Sequence, residues 1–451
     1  MKKILFYSHD SYGLGNIRRT LSICHTLTSR LTDVSILIIT GSPMMDRFAL
    51  PERVEYIKLP CPTRSEQTGA LPLSTEETQR AIKQLRSDMI LCAMGNYKPD
   101  VVLVNRRPSG VKGELEPALA YAKEHLPNTK FVLLLRDILD SPETTCELWE
   151  KQHYHRFIRK FYDRILILGQ SDIFDPRKEY LFPPSTMKKV RFCGYIRREP
   201  SPNSREEVRQ QLALTEQDRM VLVTVGGGGD GVQILDAYIA SLSCHPKLHK
   251  AKTVLTLGPE MPEPEKRRIR RATTEFPNVR VKEFSNDLMG YMDAADVVVS
   301  MGGYGTVCEL LTLRKPAVVV PRLHPLQEQW IRCARMASLG LFSVIHPNEL
   351  TSTALGNLVG TRLENPRSNP DVFSQIDLRG LERVAKHLSA LLEESESDRI
   401  QGRSPLSVSP LHIESAEAER SDSAVSSLRI FNLKAVLPTI PYGFLSELSH
   451  A

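Results

Sequence analysis

A chain of 451 residues is longer than one hydrophobic core usually serves, which favours two domains or more. Its 41% apolar and 25% charged residues are ordinary globular values, so the bulk of it reads as a soluble folded protein. The net charge of +6 comes from Lys and Arg scattered among acids, which argues against a nucleic-acid partner and leaves room for contact with an anionic membrane surface.

Eight cysteines, at 24, 61, 92, 146, 193, 244, 308 and 333, contain no CxxC pair and no metal-ligand spacing. They read as reduced thiols, with no metal site. The apolar run after Met1, Lys2 and Lys3 is too short for a signal-peptide core, and no stretch approaches the roughly 18 uninterrupted apolar residues of a spanning helix. The expectation is a cytoplasmic protein, with a peripheral contact at the inner face of the membrane left open.

From the first residue, short apolar runs alternate with helical patterns. KILFYS (3–8), VSILIIT (34–40), VVLV (101–104), FVLLL (131–135) and RILIL (164–168) are nearly all apolar, as strands buried on both faces of a parallel sheet must be. Segments such as 17–31 and 114–125 carry mixed faces and read as helices. Residues 1–198 are thus expected to form one doubly wound α/β domain.

The charged, proline-bearing stretch IRREPSPNSREE then reads as a linker. Beyond it the alternation restarts with MVLVTV (220–225), TVLTL (253–257), VRVKEF (279–284), DVVVS (296–300), PAVVVP (316–321) and FSVI (342–345). A second α/β domain is placed at 205–392. From 393 to 451 the chain is rich in Ser, Glu and Pro before an apolar end, and is expected to be a low-complexity, disordered tail.

Three glycine-rich loops follow strands: GLGN with Gly13, Gly15 and Asn16; Gly226, Gly227, Gly228 and Gly229; and Gly302, Gly303, Tyr304, Gly305 and Thr306. Glycines at a strand-to-helix turn admit an anion to the N–H groups of the next helix, so phosphate is the natural guest. Gly226, Gly228 and Gly231 also fit GxGxxG, with Glu260 after the next strand, which keeps a dinucleotide oxidoreductase as a third reading. No loop has the GK[ST] ending of a P-loop.

The run DAADVVVSMGGYGTVCELLTLRKPAVVVPRLHPLQEQ, together with the head SHDSYGLGNIRR, resembles the GT-B glycosyltransferases, most nearly glycosyltransferase family 28, whose bacterial members glycosylate a lipid-linked peptidoglycan precursor. The resemblance spans about residues 1–390 and is strongest over 280–345. It implies a GT-B fold, two Rossmann-like domains facing a cleft, with acceptor on the first and nucleotide-sugar on the second. By the same resemblance Glu309 holds the ribose hydroxyls, Gly303 to Thr306 and Gly226 to Gly229 border the diphosphate, Glu328 and Gln329 bond the sugar, His324 precedes them, and Phe284 lies near the base.

The implied reaction is inverting transfer from a nucleoside-diphosphate sugar, with UDP the expected nucleotide, to an acceptor the sequence does not name; a lipid-linked one is permitted. No cofactor or metal is expected, the nucleotide-sugar being a substrate. In many relatives the first loop ends in histidine where this chain has Asn16, an amide that orients groups but cannot take a proton. His9 and Asp137, at the ends of first-domain strands, are the candidates for the general base. An epimerase of the same architecture, or a nucleotide-sugar-binding protein without catalysis, are the alternatives.

Overall fold

The computed structural model of the protein describes residues 1–9, 14–61, 76–365 and 370–400. Seven strands form the first sheet: β1 (Lys2–Ser8), β2 (Val34–Thr40), β3 (Val54–Lys58), β4 (Val101–Asn105), β5 (Lys130–Arg136), β6 (Arg164–Leu168) and β7 (Val190–Phe192). Their order is β3-β2-β1-β4-β5-β6-β7, and every pairing is parallel. The second sheet holds β8 (Met220–Thr224), β9 (Lys252–Thr256), β10 (Val279–Lys282), β11 (Val297–Ser300), β12 (Ala317–Val319) and β13 (Ser343–Val344) in the order β10-β9-β8-β11-β12-β13, again all parallel.

The apolar runs became central strands because both sheet faces are covered: all five residues of β4 and of β8 are buried. β3 and β7 escaped the sequence pattern. β3 is an edge strand in which only Val54 of VEYIK is buried, and β7 is only three residues long. In both sheets the strand order reverses beside one strand, β1 between β2 and β4, and β8 between β9 and β11. Loops leaving such a switch point diverge to opposite faces and open a crevice at the carboxyl ends of the strands. The start of the helix Leu14–Arg30, with Gly15 and Asn16, comes after β1, the GGGG loop follows β8, and GGYGT follows β11.

The chain crosses between the sheets twice, and the crossings lie side by side. On the way out, Tyr195 N–H donates to the Asp377 carbonyl (2.7 Å); on the way back, Gly380 N–H donates to the Tyr195 carbonyl (2.9 Å), with an antiparallel bridge between Ile196 and Arg379. The close approach demands glycine: a Cβ on Gly194, which has φ +84°, would stand 2.6 Å from the Asp377 oxygen, and one on Gly380 would stand 2.6 Å from that of Tyr195.

After this return, the helix Gly380–Ile400 packs against the helix Leu14–Arg30 and against β4 and β5 of the first sheet. Composition divides these residues between the end of the second domain and the tail; in the structure they are one helix attached to the first domain. Its buried stripe Val384, Leu388, Leu391 and Leu392 decides the matter, while the Glu and Ser residues that resemble a tail include Glu394, bonded to Arg164 (2.5 Å), and Asp398, bonded to Lys130 (2.6 Å), is on the same helix. Residues 401–451, the remainder of the expected tail, lie outside the described residues. Among the described residues no helix is long and apolar enough to cross a membrane.

Leu388 is 0% exposed. Leu388→Ala should cost about 3 kcal/mol through lost burial and a cavity, read as a lower denaturation midpoint in urea.

Candidate active site

The carboxyl ends of the two sheets enclose a cavity of about 390 Å³. From the first domain it takes Gly15, Asn16, Arg18, Arg19 and Arg136, and from the crossing segment Arg198. The second domain contributes Gly226 to Gly229, Phe284, Gly303 to Thr306, Glu309, Arg322, Glu328 and Gln329.

The GGGG turn is held by local sterics. Gly226 and Gly228 have φ of +62° and +94°, and a Cβ on Gly228 would stand 2.2 Å from the Leu257 carbonyl oxygen. The helix Tyr304–Leu313 starts at Gly303 without a side-chain cap, so its first-turn N–H groups are left for a guest in the cavity. Arg198 reaches over this turn, its Nη2 lying 3.1 Å from where a Cβ on Gly305 would be.

Glu309, one turn into that helix, is 8% exposed and lines the cavity. Burial raises its pKa, while Arg198 and then Arg18, from opposite sides of the cleft, pull it back. Glu328 opens the helix Glu328–Ser338. Burial pushes its pKa up, but Arg136 and Arg332 outweigh that and bring it to about 2; the contacts are 3.5 Å and 2.6 Å. Gln329 beside it accepts from the Arg322 backbone N–H (3.3 Å). Phe284 is 46% exposed at the rim.

Asp137 is elsewhere. Its carboxylate is 0% exposed and does not line the cavity. Arg332 of the second domain grips both oxygens (Nε to Oδ2 2.8 Å, Nη2 to Oδ1 2.9 Å), the Ile138 N–H donates to Oδ1 (2.8 Å) and the Tyr195 hydroxyl to Oδ2 (3.2 Å). A carboxylate so enclosed does not meet an acceptor hydroxyl, so the candidate base is corrected to a structural anchor between the domains. Arg332, equally buried, also donates to the Gly302 carbonyl (3.2 Å) and lies 5.5 Å from the centre of the Tyr304 ring. Gly302 is therefore under the site rather than on its surface, with the Cys333 sulfur 2.4 Å from where its Cβ would be. His324 is exposed and does not line the cavity.

His9, just past β1, bonds through Nδ1 to the Asn105 carbonyl (3.0 Å), which requires the proton on Nδ1 and leaves Nε2 as the basic nitrogen. Burial, then Arg106 and Arg107, lower its pKa well below the usual histidine value. It is not itself in the cavity lining; the side chain of Asn105 accepts from Arg19 (3.1 Å), which also bonds Asn16 Oδ1 (2.7 Å). Asn16 thus orients an arginine. Gly13 lies outside the described residues.

The sequence reading missed Arg332, Arg198 and Arg322. The Glu328-to-Arg332 spacing of four on one helix is a legible signal for one of these contacts, but nothing local marks Asp137, 195 positions away.

Residues 220–387 match the glycosyltransferase family 28 C-terminal domain. The second half of the chain thus carries a domain similar to that family's. Curated relatives include UDP-N-acetylglucosamine–N-acetylmuramyl-(pentapeptide) pyrophosphoryl-undecaprenol N-acetylglucosamine transferases. That of Acetivibrio thermocellus is 26% identical over 68% of this chain and 75% of its own length. That of Agrobacterium fabrum is 26% identical over 38% of this chain, which spans only 46% of that relative. Among solved structures, Acinetobacter baumannii MurG superposes with a TM-score of 0.55 at 15% identity, over 87% of this chain and all of its own. The calicheamicin glycosyltransferase CalG4 gives 0.55 at 16%, over 87% and 98%. At these identities the superpositions establish the GT-B fold.

Two outcomes are expected of this site. Arg332→Ala should cost about 3–5 kcal/mol by stranding Asp137 without its partner, whereas Arg332→Met with Asp137→Leu should recover most of that loss, as chemical denaturation will read. Because the Glu328 pKa falls from 4.5 in the unfolded chain to about 2, its ionised form stabilises the fold above pH 4.5 and that contribution is lost as pH drops towards 2. Glu328→Gln should flatten this part of the stability profile.

Proposed function

We propose that the protein transfers a sugar from a nucleoside-diphosphate donor, UDP-linked as in the relatives' names, to an acceptor held by the first domain. One observation carries the reading: Glu309, the uncapped helix start at Gly303 and the pair Glu328 and Gln329 open into a single cavity whose other wall is Asn16, Arg18 and Arg19. A carboxylate with two acceptor oxygens suits a ribose diol, and an ionised acid beside an amide suits sugar hydroxyls.

In this mechanism His9 is the general base. Its neutral imidazole, fixed by the Asn105 carbonyl, takes the acceptor proton at Nε2 as the hydroxyl attacks the anomeric carbon with inversion. The departing diphosphate gathers charge as the bond breaks. N–H groups at the start of the helix Tyr304–Leu313, the glycines 226–229 and the guanidinium groups of Arg18, Arg19, Arg198 and Arg322 supply the compensating charge, so the proposal needs no essential metal or cofactor. The acceptor in the relatives' names, a pyrophosphoryl-undecaprenol, supports a lipid-linked acceptor, and with such an acceptor the protein would work from the cytoplasm at the inner face of the membrane.

Donor recognition is checked by thermal shift and titration with UDP, UDP-sugars and NAD. UDP-sugars should stabilise the protein, and Glu309→Ala should weaken them by about tenfold or more, the loss of a charged hydrogen-bonding partner; a response to NAD alone overturns the reading. Because His9 is held neutral, its basic form persists as pH falls through 6.5. The acid limb of kcat/KM should therefore lie below pH 6.5, and His9→Gln should remove it while lowering kcat by roughly 10² to 10⁴. A limb unchanged in His9→Gln would assign the base elsewhere.

A further inference from the structure

Arg19 stands between the two halves of the site. Its side chain lines the cavity, is 3% exposed, and brings its guanidinium to 5.9 Å from the centre of the Tyr304 ring, where the helix Tyr304–Leu313 of the second domain begins. Towards the first domain, Nη2 donates to Asn16 Oδ1 (2.7 Å) and to Asn105 Oδ1 (3.1 Å).

Asn105 is the last residue of β4, which pairs with β1 at the point where the strand order reverses. Its carbonyl accepts from His9 Nδ1 (3.0 Å), so one residue meets the arginine with its side chain and the candidate base with its main chain. The amide of Asn105 is tied at one end. A guanidinium has donors alone, so the atom facing Arg19 is the amide oxygen, and Nδ2 is left buried without a hydrogen-bond partner. Among the described residues, Arg19 is thus the hydrogen-bond partner that orients this side chain.

Charge makes the same connection. After burial, the groups that disfavour a proton on His9 are Arg106 and Arg107, from the loop after β4, and then Arg19, from the helix Leu14–Arg30; the Asn105 carbonyl acts in the opposite sense. Of these three cations, Arg19 is the one that also lines the cavity between the sheets. An anion bound in that cavity would offset the charge of Arg19 while leaving Arg106 and Arg107 as they are. A base whose surroundings lose a positive charge holds a proton more readily.

We propose that Arg19 is a positioning residue that links the filling of the cavity to His9: a diphosphate bound at the start of the helix Tyr304–Leu313 takes up its guanidinium, and proton transfer to His9 waits for that event. The inference rests on the glycosyl-transfer reading and adds to it an order of events, donor before proton transfer, with the residue that imposes it. While the cavity is empty His9 is a weak base. It strengthens when the leaving group is in place.

NMR titration of full-length protein carrying ¹³C at histidine Cε1 tests this, with the His9→Gln spectrum assigning the signal among the 12 histidines. Saturating UDP should raise the pH at which His9 titrates, its proton affinity growing about threefold or more, the scale of one nearby charge offset. Uridine, which lacks the phosphates, should leave the titration where it was. In Arg19→Gln the unliganded His9 should already titrate at higher pH than in the unsubstituted protein, and UDP should move it by less than half as much. The comparison of UDP with uridine needs no variant, so it stands even if Arg19→Gln fails to fold. A His9 signal that UDP binding does not move, or the full response in Arg19→Gln, overturns the proposal. Isothermal titration of UDP into the same samples separates the two ideas: no binding sinks the donor reading and this inference with it, whereas binding with an unmoved His9 sinks the inference alone.

Discussion

The ion pair between Arg332 and Asp137 is the contact on which the site depends. Two charged groups, each 0% exposed, face each other across the domain boundary with both guanidinium edges occupied. Burial makes such a pair a weak source of net stability, because desolvation consumes most of the attraction. What it supplies is alignment. The same guanidinium reaches Glu328, the Gly302 carbonyl and the Tyr304 ring, so the end of β5, the GGYGT turn and the cavity-lining acid are registered to one planar group. Lys in its place would provide one compact charge without the fork.

Around this anchor the cleft is a balanced mixture of charge rather than a basic trough. Glu309 sits between Arg18 and Arg198, Glu328 between Arg136 and Arg332, and Asp230 bonds Arg322 (2.9 Å). The cations that line the cavity are thus partly satisfied by acids, and any anion bound there would compete with Glu309, Glu328 and Asp230 for their guanidinium groups.

Much of this was legible in the residues. Strands buried on both faces announce themselves as unbroken apolar runs, and the second domain's side of the cavity is marked by turn glycines at fixed distances from Glu309, Glu328 and Gln329. Edge elements and long-range partners were not. β3 lacks the apolar run because, at the sheet edge, Glu55 and Lys58 meet water, and the helix Gly380–Ile400 hides a buried apolar stripe inside an acidic, serine-rich composition. Asp137 illustrates the limit most sharply. At the end of a strand it reads as a free acid, and only the fold reveals that an arginine from the other domain fills both its oxygens. His324, next to the sugar pair in sequence, faces outward for the converse reason: neighbours along a loop need not share a face.

The paired crossings at Tyr195 and Gly380 carry a consequence for how such a protein changes over time. Because the chain departs from and returns to the first domain at one spot, residues between the crossings form a continuous insert with adjacent ends, while the helix that follows restores the first domain. An insert of this kind is exchangeable as a unit. A different second domain could be spliced at the two glycine-lined crossings without re-threading the first, provided the newcomer brings a group that can answer Asp137.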